Sequence, residues 1–202
     1  MKHDILAPWA EPVPDAPYPM TVAQLANLPD DHWQYAIVEG RLVRMPGSGS
    51  KASRLAVRLA FLLMTFTQPR KLGDVSGADG EYDLTQPSDT TETALIPDVA
   101  FVRAGRLPAL DTAEANAIPR LAPDLVVEIA SPNQYHPEMD AKARLYLACG
   151  VRLVWIIWPN KEEADVWRPG SVKPTTLTAR DTLDGFDVIP GFTCPVADLF
   201  NV

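Results

Sequence analysis

Glu128 is the residue whose chemistry most needs explaining, because it stands inside an almost unbroken apolar run, Leu125-Val126-Val127-Glu128-Ile129-Ala130. A carboxylate there costs several kcal/mol unless it is neutralised, paired or bound to a cation. Alternation along a strand places Val126, Glu128 and Ala130 on one face, with Glu128 near the strand's C-terminal end, where clefts commonly open. Asp98 begins a second apolar run, Pro97-Asp98-Val99-Ala100-Phe101-Val102. The connection between the runs is long enough for antiparallel pairing, which sets the start of one strand beside the end of its neighbour. Two carboxylates so placed repel each other when ionised, and a hard divalent cation with oxygen ligands relieves that repulsion.

Lys142 supplies a positive charge. It belongs to the stripe Met139, Lys142, Tyr146, Cys149, a helical spacing that mixes it with residues expected to face a sheet. An inward lysine needs an anion. A crossover helix packs back over the strand that precedes it, so the ammonium would reach the metal site and a substrate phosphate, with Glu138 four residues earlier placed to orient it. Together the three groups suit phosphodiester hydrolysis: a bound cation lowers the pKa of water, and the lysine stabilises charge on a five-coordinate phosphorus. No nucleophilic side chain is required.

Each residue also has a plainer reading. Pro-Asp before a strand is ordinary turn chemistry. Glu128 has Arg144 and Arg152 as alternative buried partners, and Glu138 with Lys142 at i, i+4 is in its simplest form a surface pair. His136 reads as a solvated loop histidine, with a helper at the metal site the lesser alternative, and Trp155 and Trp158 as core or dimer-interface aromatics, with base stacking the lesser alternative. Arg41, Arg44, Arg54 and Arg58 read either as a basic face for phosphate contacts or as solvated surface.

The elements that must position these groups follow from periodicity and punctuation. Residues 1–19 are Pro-rich and aperiodic, an extended arm before a single domain at 20–202, with Trp9 and Tyr18 available to pack. Thr21 resembles an N-cap for a short helix to about residue 28, and residues 35–38 and 41–45 flank Glu39-Gly40 as a hairpin. Leu55, Leu59, Leu62, Leu63 and Phe66 mark a helix over 51–67. Short strands are predicted near 73–75, 81–84 and 98–103, a loop over 104–123, a strand at 125–130, a helix over about 138–149 ending at Gly150, and a strand at 151–158. Strand, helix, strand implies a right-handed crossover between parallel strands. Shorter strands near 164–167 and 175–178 and a turn at 196–200 close the chain. The expected fold is α/β: a mixed central sheet flanked by helices, with extra N- and C-terminal hairpins.

Composition sets limits. The 202 residues are 47% hydrophobic and 22% charged, values of an ordinary globular chain long enough for one sizeable core. The 20 prolines punctuate loops. Two cysteines suggest neither a disulfide framework nor a zinc site, and no stretch has the length of a membrane span or the form of a secretion signal, so a cytoplasmic location is expected. A formal net charge of -8 argues against avid nonspecific binding to phosphate backbones, leaving a local basic patch and metal ions to engage nucleic acid.

The motifs YAIVEGRLV (35–43), PDVAFV (97–102), LVVEIASP (125–132) and KARLYLACGVRLVWII (142–157) resemble, in order and spacing, the Uma-two-type restriction endonuclease family of the PD-(D/E)xK nuclease superfamily. The resemblance runs from about Thr21 to the C-terminus. It implies a restriction-endonuclease-like fold, Asp98 and Glu128 as metal ligands, Lys142 as the catalytic lysine moved onto the following helix while Ala130 takes its usual place, Mg or Mn as cation, DNA as substrate and a homodimer as the assembly. Two positions depart from the family pattern: Ala36 stands where an acid is usual, and no histidine lies near 51–53. The expected function is metal-dependent hydrolysis of phosphodiester bonds in DNA. The alternatives are a weakened or inactive nuclease-fold module for binding or dimerisation, and a metal-dependent phosphoesterase acting on another substrate.

Overall fold

The computed structural model describes residues 7–29, 31–47 and 49–201; the first six residues of the expected arm lie outside this range. A two-residue strand, β1 (Glu11–Pro12), precedes a single helical turn, α1 (Val22–Leu25), whose Thr21 cap accepts from the Gln24 amide. The predicted hairpin forms as β2 (Trp33–Val38) and β3 (Arg41–Pro46). Its turn residues, Glu39 and Gly40, both take positive φ (49° and 76°), as a two-residue turn matched to strand twist requires. There follow α2 (Ser50–Thr67), β4 (Gly73–Ser76), β5 (Tyr82–Asp83), β6 (Ala94–Leu95), β7 (Val99–Arg103) and β8 (Leu125–Ile129). The chain continues through α3 (His136–Ala148), β9 (Leu153–Trp158), β10 (Glu163–Trp167), β11 (Thr175–Leu177), β12 (Thr182–Asp184), β13 (Thr193–Pro195) and α4 (Val196–Phe200). The predicted 104–123 loop holds one 3-10 turn, Ala113–Asn116.

The central sheet is mixed, in the order β11-β10-β9-β8-β7-β4. β8 and β9 run parallel because α3 carries the chain across between them, whereas β7 and β8 run antiparallel. A second sheet, β1-β3-β2-β6-β5, is antiparallel throughout. The N-terminal hairpin is thus drawn into this second sheet, and β10 and β11 extend the central one. A separate ribbon, β12 with β13, was not foreseen.

Alternation decides which face of the central sheet each side chain joins. Leu125, Val127 and Ile129 of β8, with Leu153, Trp155 and Ile157 of β9, meet Leu55, Leu59 and Leu63 of α2 and Val196 and Leu199 of α4. Val126 and Val154 point the other way, into a core shared with Met139, Ala143 and Tyr146 of α3 and with Ala36, Val38 and Val43 of the second sheet. Glu128 follows Val126 on that second face. Trp9, from the predicted arm, is buried in the same core, and Tyr18 is exposed beneath the Arg41 guanidinium. Cys149 and Cys194 are buried free thiols. Among the described residues no helix is long and apolar enough to cross a membrane.

Just before β5, burial pushes the Glu81 carboxyl up to about 7, and its Oε1 has no hydrogen-bond partner among the described residues. Folding therefore favours the neutral form. Below pH 4.5 the acid is neutral in both states and costs nothing; between 4.5 and about 7 the unfolded chain ionises first, so stability is lost as pH rises through that window. Glu81→Gln is expected to melt with the wild type near pH 4 and above it at pH 8. Leu59, which is 0% exposed, anchors α2, and Leu59→Ala is expected to cost about 2–5 kcal/mol in urea unfolding. Val57→Ala on the exposed side of the same helix is expected to stay within about 0.5 kcal/mol.

Candidate functional site

α3 brings the lysine to the acid. Pro137 sits in the helix's first turn, and the Glu138 carboxylate accepts the Tyr135 N–H at 3.3 Å. Glu138 therefore caps the helix, and its recorded partner is that backbone amide rather than Lys142. At the other end Gly150 takes φ 97°, a left-handed position that turns the chain back toward β9. The helix held in this way presents Met139, Lys142, Ala143 and Tyr146 to the sheet.

Lys142 Nζ lies 2.7 Å from Glu128 Oε2, and the Tyr146 hydroxyl donates to Glu128 Oε1 at 2.7 Å. Glu128 is 4% exposed and Lys142 5%. The surface pair of Glu138 with Lys142 is therefore not what forms, since Lys142 is buried. The arginine alternatives fail as well: Arg144 lies over the Trp167 ring and donates to the Val172 carbonyl, while Arg152 pairs with Asp187. Burial pushes the Glu128 carboxyl above its ordinary range and the Asp98 charge pushes the same way, against the pull of the Lys142 ammonium and the Tyr146 hydroxyl. Burial and the neighbouring Glu128 raise the Tyr146 phenol well above its usual value, so it remains a donor.

Asp98 reaches the same place through register. Val99 pairs with Val127, so one step further along the antiparallel ladder sets Asp98 opposite Glu128. The Ile129 N–H donates to Asp98 Oδ2 at 2.7 Å, fixing the carboxylate just ahead of β7. Asp98, Glu128 and Lys142 line one cavity of about 380 Å³, together with Gln34, Arg44 and Ser131.

The two departures from the family pattern have structural expressions. Ala36 is 0% exposed in the core, and the β2 residue that reaches the cavity is Gln34, two positions earlier on the same face. An amide oxygen can ligate a hard cation but brings no charge. In the first turn of α2, Lys51 donates to the Pro159 carbonyl at 2.9 Å. Three of the four arginines are engaged with neighbouring groups. Arg44 pairs with Glu11 at 3.3 Å and covers Trp33, Arg41 covers Tyr18, and Arg58 is tied to the Asp198 carbonyl.

His136 corrects another expectation. It is the first residue of α3, half-buried, with Nδ1 3.3 Å from Asp165 Oδ2 and its ring 3.9 Å from Trp158. Trp155 and Trp158 are both core residues. Asp165, 0% exposed, was missed although the strand Glu163-Ala164-Asp165-Val166-Trp167 carries the same signal as Glu128, an acid within an apolar strand.

A solved structure from Anabaena variabilis, described as a putative nuclease belonging to DUF820, superposes with a TM-score of 0.76 at 20% identity, over 90% of this chain and 98% of that one. The likeness establishes the fold. No individually curated protein matches the chain. The profile of the Uma2 family, "Putative restriction endonuclease", matches residues 22–197, nearly the whole length over which the two sheets, α2 and α3 build the cleft. On that match the chain belongs to the Uma2 restriction-endonuclease family.

Proposed function

We propose that this chain hydrolyses phosphodiester bonds in DNA, using Mg or Mn held by Asp98 and Glu128, with Lys142 as the catalytic lysine. The observation that carries the reading is the buried Glu128–Lys142 contact at 2.7 Å, opening on a cavity that Asp98 also lines. The donor set suits such a cation. The carboxylates of Asp98 and Glu128 line the cavity beside the Gln34 amide and the Ser131 hydroxyl, with Glu11 and Glu138 also in its wall, and neither histidine nor cysteine is among its lining residues, so the available ligands are the oxygens that Mg or Mn prefers over zinc. When bound, the cation supplies an activated water at neutral pH.

The chain's own groups do the rest. Asp98, fixed by the Ile129 amide, and Glu128, fixed by Tyr146, present carboxylate oxygens from two adjacent strands. Lys142 favours the charged form of Glu128 against the effect of burial and has further ammonium protons to donate to a phosphate oxygen as negative charge builds there. Arg44 at the cavity wall is placed to contact the incoming strand. The same reading treats residues 20–202 as one catalytic domain preceded by an arm at 1–19, in a cytoplasmic homodimer.

Ala36 favours a second reading, a nuclease fold kept for binding, because a fully buried methyl group stands where the family usually has an acid. Calorimetry separates the two. Under the nuclease reading Mn binds the wild type and not Asp98→Asn; no heat at millimolar Mn with either protein supports the binding module. For cleavage of plasmid or linear DNA, Glu128→Gln is expected to abolish metal-dependent activity. Lys142→Met is expected to lower the rate by about 10²–10³. Because removing one partner of a buried ion pair can itself cost about 3–5 kcal/mol, both variants are assayed well below their measured melting temperatures. Full activity in purified, folded Glu128→Gln would overturn the assignment.

A further inference from the structure

Glu128 and Asp165 lie in one row across the central sheet, since both are registered opposite Ile156 of β9. They therefore point to the same face, two strand spacings or about 10 Å apart. α3 covers both: Lys142 meets Glu128, and His136 at the helix's first residue meets Asp165. The nuclease reading uses the first meeting and leaves the second without a task.

The second cluster is organised around an oriented imidazole. Asp165 Oδ2 accepts the Trp158 Nε1–H at 2.7 Å and faces His136 Nδ1 at 3.3 Å, while the Thr176 hydroxyl donates to Oδ1. Trp158 lies against the His136 ring at a tilt of 37° and Asp165 faces its Nδ1, so Nε2 points away from the buried carboxylate, 2.5 Å from Lys161 Nζ. His136, Trp158 and Lys161 line a cavity of about 240 Å³ with Ser131, Gln134, Tyr135 and Asn160. Ser131 and Gln134 also line the Asp98–Glu128 cavity, so the two spaces share a wall. Lys51 adds a third basic group, bonded to the Pro159 carbonyl and to Asn160 at this rim. The N-terminus of α3, a helix of 13 residues, opens here as well, and its dipole favours an anion.

We infer that His136, Lys161 and Trp158 form a phosphate-binding subsite that seats a backbone phosphate of the nucleic-acid strand a few nucleotides from the Asp98–Glu128 centre. The inference builds on the nuclease reading for its ligand. Lys161 Nζ, held by its contact with His136 Nε2, turns its remaining protons to the phosphate, Lys51 adds positive charge at the rim, and the exposed Tyr135 ring offers a surface for the adjoining sugar or base. A divalent cation is the competing occupant, because ligand atoms of His136, Asp140 and Asp165 lie within 4.8 Å of one another. Two observations favour phosphate: Arg144 is a charge neighbour of Asp140, and an ammonium already stands at the ring's outward nitrogen. The placement also answers the net charge of -8, since lysines concentrated at one rim can contact phosphates that the whole surface would repel.

The test uses inorganic phosphate and metal-free full-length protein. The His136 imidazole resonance, assigned with His136→Gln, is expected to shift saturably with phosphate, to stay fixed with chloride at equal ionic strength, and to lose its response in Lys161→Ala. In parallel, anisotropy of a labelled 12-nucleotide single strand is expected to show weaker binding in Lys161→Ala, with the salt slope reduced by about 1. An unresponsive resonance together with wild-type binding and cleavage by Lys161→Ala overturns the subsite and leaves the nuclease reading standing. A phosphate shift in a protein that cuts no DNA supports the subsite and sinks the nuclease reading. Broadening of the His136 resonance by micromolar Mn, with no phosphate response, overturns the subsite in favour of a cation.

Discussion

One contact constrains the rest of the molecule: the ammonium of Lys142 against the carboxylate of Glu128, both almost wholly withdrawn from water. Taking two charges out of water is expensive, and their attraction repays that cost only with good geometry and further hydrogen bonds. Tyr146 supplies one such bond from the same helix. α3 must therefore lie over β8 at a fixed height and rotation, and the crossover that makes β8 and β9 parallel is what delivers it there. A well-packed apolar pair of similar size is often as stable or more so, which makes stability a poor reason for these charges and chemistry at the cavity a better one.

The second sheet gives the pair an outlet. Without β2 and β3, the α3 face of the central sheet would end in solvent; with them, it becomes a core on one side and a cavity on the other, where Gln34 and Arg44 face Asp98 and Glu128. The arm strand β1 completes that wall through β3, and Trp9 and Glu11 line the cavity. An acidic chain thus arranges a few cationic groups around a space that its sheets define. Bulk charge sets how strongly the whole surface attracts a phosphate backbone, and placement sets whether a particular phosphate is held.

Much of this was legible before any coordinates. The apolar runs around Asp98 and Glu128 and the Gly150 stop allowed antiparallel β7 with β8 and pointed to parallel β8 with β9, while the Met139, Lys142, Tyr146 stripe left Lys142 open to an inward or a surface reading, of which the fold takes the first. Each is a local pattern. What could not be read depended on long-range pairing. The strands β6 and β12 are two and three residues long, too short to show a period, and exist because β2 and β13 lie beside them. Tyr146 read as a sheet-facing residue, but its hydroxyl's partner could not be deduced from the stripe. Asp165 and His136 are 29 positions apart in sequence, and only the β9–β10 hairpin and the first turn of α3 bring them together. Glu138 was expected to orient Lys142, yet capping chemistry claimed it first.

The most direct test is a crystal soaked in Mn and measured for anomalous scattering. A peak is expected about 2.0–2.6 Å from oxygens of both Asp98 and Glu128, with Lys142 still beside the glutamate. A Glu128 carboxylate closed on Lys142 and Tyr146, with no Mn near Asp98 at millimolar metal, would contradict the shared cation site on which the nuclease reading depends.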